Sequence, residues 1–490
     1  MSVFRTKSVQ QTLRDIDEPE HRLTRTLRLP HLVAFGIGIV IGTGIFTLTG
    51  QQAAVSAGPG VTLSFVIAGA VSVLAALCYA ELSSSVPAAG SSYTYSYAAL
   101  GEIVAWIIGW DLILEFALGA AVVARGWSSY LADLLGLPPV LFTEQAPVNV
   151  GAGLVVLVLG YVALVGIRQS ARLTSGLVVL KVAICLFVIV AGAFFVKLAN
   201  WTPFIPEPQP RQSSTAGLDQ PLIQALIGAE PAAFGVAGVL AAAAVVFFSY
   251  TGFEAVANLA EESENPRRDI PRGVIYTLVL ATLLYVGVSL VVTGMAPYSQ
   301  LNTASPLARA FDLVGLGWAS TLVSIAAVTG LTSVILVDIV TMSRIGFSMS
   351  RDGLLPRALS RVHRRWGTPY RLTLIITVAV AVMAALVPLE ALAEMVSIGA
   401  LFAFLLVAIG VLVLRRRQPD LERGFRVPLG PVIPVGAVLA CLYLMSNLAV
   451  WTWLRFLGWL VVGLLVYALY GYRNSRLSDR FAAGAADRRH

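Results

Sequence analysis

Apolar runs of about 20 residues recur along the whole chain, and an α-helix of this length crosses the hydrocarbon core of a bilayer. Charged residues make up 12% of the chain, against about a quarter in a soluble domain, so most of the chain is expected in lipid. Only helices and closed barrels satisfy their own backbone there. We read twelve spans, near residues 31–55, 61–86, 101–128, 149–167, 173–196, 234–259, 273–296, 317–343, 371–389, 391–414, 430–449 and 451–472.

Basic residues indicate the orientation of these spans. The N-terminal segment, 1–30, is rich in Arg, and an even number of spans puts the tail, 473–490, on the same side. Loops on that side hold most of the 34 Lys and Arg residues, as the positive-inside rule requires of cytoplasmic loops. The net charge of +7 therefore reflects topology and gives no reason to expect a nucleic acid partner. We expect a multi-pass protein of the cell (inner) membrane with both termini in the cytoplasm.

The first span contains the stretch "GIGIVIGTGIF", Gly36 to Phe46, whose glycines each cost about 1 kcal/mol against Ala in a helix interior. Gly42-Thr43-Gly44 lies about 15–18 Å along the span, at the level of the midplane. A broken helix is tolerated there where it lines a cavity or is buried in protein. Its free N–H groups and the helix dipole favour an anion such as a carboxylate. The alternative is a close helix-packing face made by small residues.

The sixth span repeats this pattern with Ser249-Tyr250-Thr251-Gly252 at mid-depth. Paired interruptions in corresponding spans of two halves are typical of an inverted-repeat transporter. Spans 1–5 and 6–10 then form the repeats, 31–196 and 234–414, and the last two spans, 430–472, follow them. A carboxylate site on span one and carbonyls on span six that receive an ammonium group describe the backbone of an amino acid.

The chain resembles the cationic amino acid transporter family of the amino acid-polyamine-organocation (APC) superfamily. The resemblance covers residues 22–472 and rests on several motifs together. They are "GIGIVIGTGIF", "GPGVTLSFVIAGAVSVLAALCYAELSSSVPAAGSSYTYSY", "GWDLILEF", "FFSYTGFEAVANLAEESENPRRDIPRG", "SRIGFSMSRDGLLP" and "PDLERGFRVPLGPVIP". It implies an all-α membrane protein with the LeuT-type fold. That fold has two inverted five-helix repeats, twelve transmembrane helices, and breaks in helices 1 and 6.

The resemblance also implies which residues of span one hold the substrate. Backbone groups of Thr43, Gly44 and Ile45 are expected to bind the substrate carboxylate. Position 40, which is Val40, is expected beside them in the binding site. These positions coincide with the glycine-rich stretch that the sequence itself marks as a helix break.

On span six, the resemblance implies that carbonyl groups around Phe248, Ser249 and Thr251 hold the substrate amino group. Phe253, which follows directly, is expected to act as an aromatic lid over the site. The unwound carbonyl end of a broken helix suits an ammonium group, because its oxygens carry the negative end of the helix dipole.

Ionisable residues within spans are costly and rare, so each is a functional hypothesis. Lys181 lies nine residues past Arg172 and about 13–14 Å deep. A lysine held away from water is able to gain and lose a proton near neutral pH. The alternative is a permanently paired structural lysine. The resemblance implies that Lys181 takes the place that a sodium ion occupies between spans one and eight in sodium-coupled relatives, hence proton coupling or at least sodium independence.

Asp111, Glu115 and Glu254 are carboxyl groups that fall inside spans. Asp111 and Glu115 lie four residues apart in "GWDLILEF" and so share a helix face. Glu115 resembles the family's span-three glutamate, which implies a proton-linked or pocket carboxylate. Asp111 is expected to be a structural hydrogen-bonding group. Glu254 follows the span-six break and is expected to accept hydrogen bonds from free N–H groups there, with proton coupling as the weaker alternative.

Asp338 departs from the family pattern. It lies six residues before Arg344, where relatives usually have Met, Ser or Asn facing the substrate side chain. An aspartate there is able to pair with a guanidinium or ammonium group, which favours a cationic amino acid such as arginine, lysine or ornithine. If span eight ends at Arg344, however, Asp338 lies only about 9 Å from the cytoplasmic edge. A carboxylate of the intracellular gate is therefore the alternative.

The sequence therefore predicts a secondary active permease, with proton-coupled and sodium-independent uptake of cationic amino acids. A neutral amino acid (alanine-type) symporter and an exchanger stay open, and a non-transporting sensor is a lesser alternative. The three cysteines and four histidines form no metal or catalytic cluster, so we expect no enzyme activity, cofactor or metal. The expected partners are the amino acid, protons and the bilayer. The oligomeric state stays open, with a monomer among the alternatives.

Overall fold

The computed structural model describes residues 27–85, 93, 96–97, 100–165, 171–210, 217–229, 232–363, 366–421 and 423–475. Most of the predicted N-terminal segment and of the predicted tail lies outside these residues. The longer α-helices, labelled α1 to α12 in chain order, are Leu29–Val40, Val61–Ser85, Glu102–Leu135, Val150–Val165, Ala171–Ala193, Gly235–Val246, Pro266–Met295, Gly317–Arg351, Tyr370–Leu386, Leu389–Arg417, Val432–Ser446 and Val450–Val466.

Shorter elements connect these helices. The two short strands, β1 and β2, are Gln209–Pro210 and Ala232–Ala233, and they pair in antiparallel orientation. The short α-helices are Thr49–Gln52, Pro139–Phe142, Leu222–Ile227, Pro306–Leu313 and Tyr472–Asn474. The π-helical segments are Gly44–Leu48, Ala53–Ala57 and Tyr467–Gly471. The 3-10 segments are Gly58–Gly60, Leu198–Trp201, Phe247–Tyr250, Phe253–Glu262, Tyr298–Gln300 and Arg357–Ser360.

Eight helical stretches of the described chain are long and apolar enough to cross a membrane, and α1, α4, α9 and α11 are shorter apolar helices. Each predicted apolar segment overlaps one of α1 to α12. Local sequence explains several boundaries. Pro266 opens α7, because proline suits a first turn that needs no N–H donor. Gly136 ends α3 with φ 64°, a left-handed conformation that glycine adopts without strain.

Much of the most extensive packing joins a helix of the first half to the helix five places later. It pairs α3 with α8, α2 with α7 and α4 with α9. The last helices of the two halves have corresponding partners. The helix α5 packs on α1, α7 and α8, and α10 packs on the helices five places away from these, which are α6, α2 and α3. This regularity brings the ends of α1 and α6 to the centre of the helix assembly.

A buried arginine fixes the turn between α9 and α10. Arg125 of α3 is 2% exposed, and its guanidinium donates to the carbonyls of Ala384 and Ala385 at 2.8 and 3.1 Å. It also pairs with the Glu144 carboxylate at 2.7 Å, and that carboxylate accepts the N–H of Leu389 at 3.1 Å. The last carbonyls of α9 and the first N–H of α10 are thereby satisfied, as buried helix ends require.

The loop between α10 and α11 is held in a similar way. Glu81 of α2 is 1% exposed and accepts hydrogen bonds from Arg415 at 2.8 and 2.5 Å and from the N–H of Val427 at 2.7 Å. Arg423 approaches the same carboxylate at 3.4 Å. A two-pronged arginine–carboxylate pair fixes geometry as well as charge, so this loop has a defined position against α2.

The close approach of α4 and α9 generates a test of the packing. A Cβ on Gly160 would overlap the Thr377 side chain, whereas a Cβ on Gly458 of α12 meets nothing within 4 Å. Gly160→Leu is expected to lower the thermal unfolding temperature in detergent by several degrees, because overpacking costs about 1–3 kcal/mol. Gly458→Leu is the control and should unfold like the parent. Equal unfolding temperatures for the two variants would contradict the described contact.

Candidate functional site

The helical hydrogen-bond pattern of the first span is interrupted after Val40, where α1 ends. Ile41 adopts an extended conformation with φ −74° and ψ 96°. The chain returns to helical geometry at Thr43, and a π-helical segment runs from Gly44 to Leu48. All residues from 39 to 50 are buried, so the interruption lies inside protein.

The sixth span is interrupted in the same manner. After α6 the 3-10 turn Phe247–Tyr250 leads to Thr251, which is extended with φ −66° and ψ 154°. Gly252 has φ 100°, a conformation that other residues rarely adopt. The Glu254 carboxylate accepts the N–H of Gly252 at 2.9 and 3.0 Å, as expected of a carboxylate that follows a helix break.

The two interruptions lie against each other. A Cβ on Gly44 would overlap the Cα, Cβ and hydroxyl of Ser249, so the backbones approach as only glycine allows. A Cβ on Gly252 would likewise overlap the Ile39 side chain. The buried hydroxyls of Thr43 and Ser249 have no hydrogen-bond partner among the described residues. The crossing point therefore holds polar groups that remain available to a ligand or to water.

A small cavity of about 30 Å³ opens at this crossing point. It has room for about two waters, so an amino acid enters only if the site widens. The predicted site residues that line it are Val40, Gly44, Phe248, Ser249, Thr251, Glu115 and Asp338. Residues that complete the lining and that sequence reasoning did not single out include Ile39, Phe116, Gly119, Val123 and Val334.

Four predicted site residues lie behind this lining. Thr43 faces α3, where a Cβ on Gly126 would lie 2.6 Å from its methyl group, and Ile45 is fully buried. Phe253 packs between Tyr79 and Phe404, with ring centroids 5.7 and 5.0 Å away. In this closed arrangement Phe253 belongs to an aromatic cluster next to the cavity, and its role as a lid stays a prediction.

Lys181 is the fourth of these residues and is fully buried on α5. Its Nζ donates a hydrogen bond to the Gly38 carbonyl of α1 at 2.5 Å. A Cβ on Gly330 of α8 would lie 3.1 Å from the Lys181 side chain, so the aliphatic part of this side chain packs directly on α8. Lys181 thus lies between α1 and α8 and interacts electrostatically with Asp338.

The carboxyl groups of α3 have an unusual environment. Glu115 lines the cavity and interacts electrostatically with Glu254, Asp111 and Asp338. Both carboxyl oxygens of Asp111 are buried and have no hydrogen-bond partner among the described residues. The expected role of Asp111 as a structural hydrogen-bonding group stays a prediction. A Cβ on Gly399 would lie 2.9 Å from its Oδ1, so Asp111 packs directly against the α10 backbone.

Asp338 lies at the level of the cavity because α8 continues beyond Arg344 to Arg351. A Cβ on Gly119 of α3 would lie 3.4 Å from its Oδ2. No described side chain forms an ion pair within 4 Å of this carboxyl group, and its side chain is 6% exposed. The structure thus brings Asp338 together with both helix interruptions, instead of placing it at the C-terminal end of α8.

Two polar residues of the site gave no sequence signal. The Tyr285 hydroxyl of α7 donates to the carbonyls of Val40 at 2.6 Å and Ser249 at 2.8 Å. The Ser397 hydroxyl of α10 donates to the Val245 carbonyl at 3.2 Å and accepts the N–H of Phe248 at 3.1 Å. A lone tyrosine or serine in an apolar run is commonplace, and only the tertiary structure shows that these two contact the interruptions.

Interrupted helices that meet at a central cavity are typical of secondary transporters. Comparison with known proteins agrees, since the amino acid permease family model matches residues 27–470. The chain belongs to the amino acid permease family of the APC superfamily.

Named relatives come from bacteria and plants. The chain is 42% identical to the branched-chain amino acid permease BcaP of Bacillus subtilis, over 98% of this chain and 99% of that protein. It is 40% identical to the methylthioribose transporter of the same organism, over 97% and 99%. It is also 39% identical to the mitochondrial cationic amino acid transporter 3 of Arabidopsis thaliana, over 82% of this chain and 64% of that protein.

The two glycines of the first interruption generate a prediction. A Cβ on Gly44 would overlap Ser249, whereas a Cβ on Gly42 has no neighbour nearer than 3.9 Å and points toward the space beside Val334. Gly44→Ala is expected to lower the thermal unfolding temperature, because the two interrupted helices must separate. Gly42→Ala should unfold like the parent but reduce uptake, since it narrows the cavity. Equal unfolding temperatures would contradict the tight crossing at Gly44.

Proposed function

We propose that this permease is a secondary active transporter for cationic amino acids such as arginine, lysine and ornithine. The observation that carries the proposal is the Asp338 carboxylate, which lines the cavity between the two interrupted helices. Uptake is proposed to be proton-coupled and independent of sodium. The protein is proposed to lie in the inner cell membrane with both termini in the cytoplasm.

The proposed architecture is the LeuT-type arrangement of twelve spans with two inverted five-helix repeats. The packing of α2, α3 and α4 on the helices five places later supports it. We propose an approximate two-fold axis in the membrane plane, because α5 packs on α1, α7 and α8 while α10 packs on the corresponding helices α6, α2 and α3. The helix ends at Val40 and Val246 then correspond to each other. The extended residue Ile41 directly follows α1, whereas a 3-10 turn follows α6 and leads to the extended residue Thr251.

The proposed site holds the amino acid backbone by main-chain groups at the two interruptions. The carboxylate binds at the start of the helical segment after the first interruption, and the ammonium group binds at the carbonyls of the span-six turn. Helix ends suit these charges, because N-termini carry partial positive charge and C-termini partial negative charge. The residues proposed for this site are Val40, Thr43, Gly44, Ile45, Phe248, Ser249, Thr251, Phe253 and Asp338.

The substrate side chain is proposed to extend toward Asp338. Gly42 and Gly119 carry no side chains, so the space beside this carboxylate is free of bulk. A guanidinium group pairs with a carboxylate through two parallel hydrogen bonds, which gives geometric specificity as well as charge complementarity. Because the cavity holds only about two waters when closed, we propose that substrate entry requires α3 and α8 to separate from α1 and α6.

A neutral amino acid is the second candidate substrate. The remaining lining is apolar and includes Ile39, Phe116, Val123 and Val334. BcaP of Bacillus subtilis, which is 42% identical, is named as a branched-chain amino acid permease. In this alternative Asp338 balances the charge of Lys181 and leaves the side-chain pocket to aliphatic groups.

Proton coupling is proposed to involve Lys181 and Glu115. Lys181 connects the end of α1 to α8, so a change in its charge alters the contact between the helices that must separate. Glu115 lines the cavity and its carboxyl group interacts with that of Glu254, so it is able to take up a proton there.

The substrate assignment is tested with Asp338→Asn in proteoliposomes. Losing a charge-assisted hydrogen bond costs about 1.5–3 kcal/mol. Because about 1.4 kcal/mol corresponds to a tenfold change in affinity, the KM for arginine is expected to rise at least about tenfold. Leucine uptake should change little. Asp312→Asn, at an exposed position, is the matched control. Arginine uptake that is unchanged in Asp338→Asn, or a parent protein that transports only leucine, would favour the neutral candidate.

The coupling assignment is tested with Lys181→Met, which keeps most of the length of the side chain and removes its charge. In sodium-free buffer an inward proton gradient should accelerate labelled arginine uptake by the parent and not by the variant. The matched control is Lys197→Met, at an exposed position beyond the end of α5. Acceleration that persists in Lys181→Met would place the coupling proton elsewhere. A parent whose uptake ignores the gradient would contradict proton coupling itself.

A further inference from the structure

Tyr285 connects the two interrupted helices from behind the cavity. It lies on α7 and is fully buried, and its hydroxyl approaches the carbonyl oxygens of Val40 at 2.6 Å and Ser249 at 2.8 Å. Val40 is the last residue of α1, and Ser249 lies in the turn just before the span-six interruption. One hydroxyl hydrogen is therefore shared between carbonyls that belong to the two different interruptions.

These carbonyls depend on Tyr285. No other described group donates a hydrogen bond to the Val40 or the Ser249 carbonyl, since both lie where the helical pattern stops. A buried carbonyl without a donor is unfavourable in protein and more so at membrane depth, where water is scarce. The Tyr285 hydroxyl thus supplies the hydrogen-bond donor that the Val40 and Ser249 carbonyls would otherwise lack.

The same carbonyls belong to the region where the proposed function places the substrate ammonium group. The cavity in front of them has room for about two waters and excludes an amino acid. The hydrogen bonds of Tyr285 therefore belong to a closed arrangement whose cavity is too small for the substrate. When substrate is bound, the three N–H donors of its ammonium group are able to satisfy carbonyls of this region.

We propose that the Tyr285 hydroxyl substitutes for the substrate ammonium group when the site is closed and unoccupied, so that the unloaded carrier is able to change its orientation. Tyr285 is in this sense a positioning residue, and the proposal rests on the proposed amino acid site. Its consequence is that this permease performs net uptake and is not an obligatory exchanger.

Net uptake and exchange depend on Tyr285 differently, because they require different forms of the carrier to close. In exchange, the carrier closes only around substrate, and the ammonium group is present each time. In net uptake, the unloaded carrier must also close and return. Removing the Tyr285 hydroxyl leaves two carbonyls without a donor in the unloaded closed form, whereas the loaded closed form regains donors from the substrate. The variant should therefore be slowed in net uptake and preserved in exchange.

A purely structural role would have a different consequence. Tyr130 of α3 is also fully buried, and its hydroxyl donates to the Phe46 carbonyl at 2.6 Å, beyond the interruption of the first span. Removing that hydroxyl affects loaded and unloaded forms alike, because no substrate group approaches Phe46. Tyr130→Phe is therefore a control that removes one buried hydroxyl of the same kind.

The experiment compares two rates in proteoliposomes that contain the full-length protein, with labelled arginine and labelled leucine as probes. Net uptake is measured into vesicles without internal amino acid under an inward proton gradient, and exchange is measured with the same amino acid inside. Tyr285→Phe is expected to lower the ratio of net uptake to exchange about tenfold. The loss of one buried hydrogen bond costs about 1.4 kcal/mol, and this free energy corresponds to a factor of about ten. Tyr130→Phe should keep the parent ratio.

A Tyr285→Phe protein that loses both rates equally, or loses neither, overturns the proposal. If that variant does not fold, the parent protein provides the test. Amino acid inside the vesicles should accelerate its uptake less than about threefold, because Tyr285 stabilises the unloaded carrier while it changes orientation. A strong acceleration overturns the proposal. The ratio is measured with whichever probe the parent transports. Transport of leucine alone therefore ends only the cationic assignment, whereas transport of neither probe ends both proposals.

Discussion

The structure depends on satisfying backbone groups where two helices are interrupted inside a membrane protein. Lipid offers no hydrogen bonds, so each carbonyl and N–H that leaves the helical pattern needs a partner within the protein. Neighbouring helices supply these partners with side chains that otherwise have little reason to be polar. They are Lys181 for the Gly38 carbonyl, Tyr285 for the Val40 and Ser249 carbonyls, Ser397 for the Val245 carbonyl, and Glu254 for the Gly252 N–H.

The two halves solve this problem in parallel ways that differ in charge. Lys181 on α5 donates to a carbonyl near the end of α1, and Ser397, five helices later on α10, donates to a carbonyl near the end of α6. A serine hydroxyl performs its task at any ordinary pH, whereas a lysine performs it with a charge that is costly to bury. We therefore propose that the helix contacts that respond to protonation lie in the half that contains Lys181.

Acidic residues follow the same logic. Glu254 has a backbone partner at the interruption, whereas the buried oxygens of Asp111 lack a hydrogen-bond partner among the described residues. A buried carboxyl group without a partner is unfavourable, so such groups are retained where they serve a purpose. Glu115 and Asp338 face the cavity, and Asp111 packs on the backbone of α10 beside Ser397. The acidic side chains that line the cavity therefore come from α3 and α8.

Much of the architecture could be predicted from the sequence. Apolar runs locate the spans because lipid demands them, and each predicted segment overlaps a helix of the structure. Clustered glycines locate the interruptions, because several glycines in one span weaken a helix wherever it is placed. The family membership follows from motifs that lie along most of the chain. The rarity of charge within spans also identifies Lys181, Glu115 and Asp338 as residues of interest.

The sequence could not decide the depth of each polar side chain within the helix assembly or the residues that it contacts. The depth of Asp338 depends on α8 continuing to Arg351, and Arg344 is not a helix end. Tyr285 and Ser397 resemble ordinary core residues, and their contacts depend on helices far away along the chain. Apolar periodicity and composition are local properties, so the sequence by itself determined the spans, their interruptions and the family. Partners across helices arise only from packing, so the tertiary structure alone decided which polar groups surround the cavity.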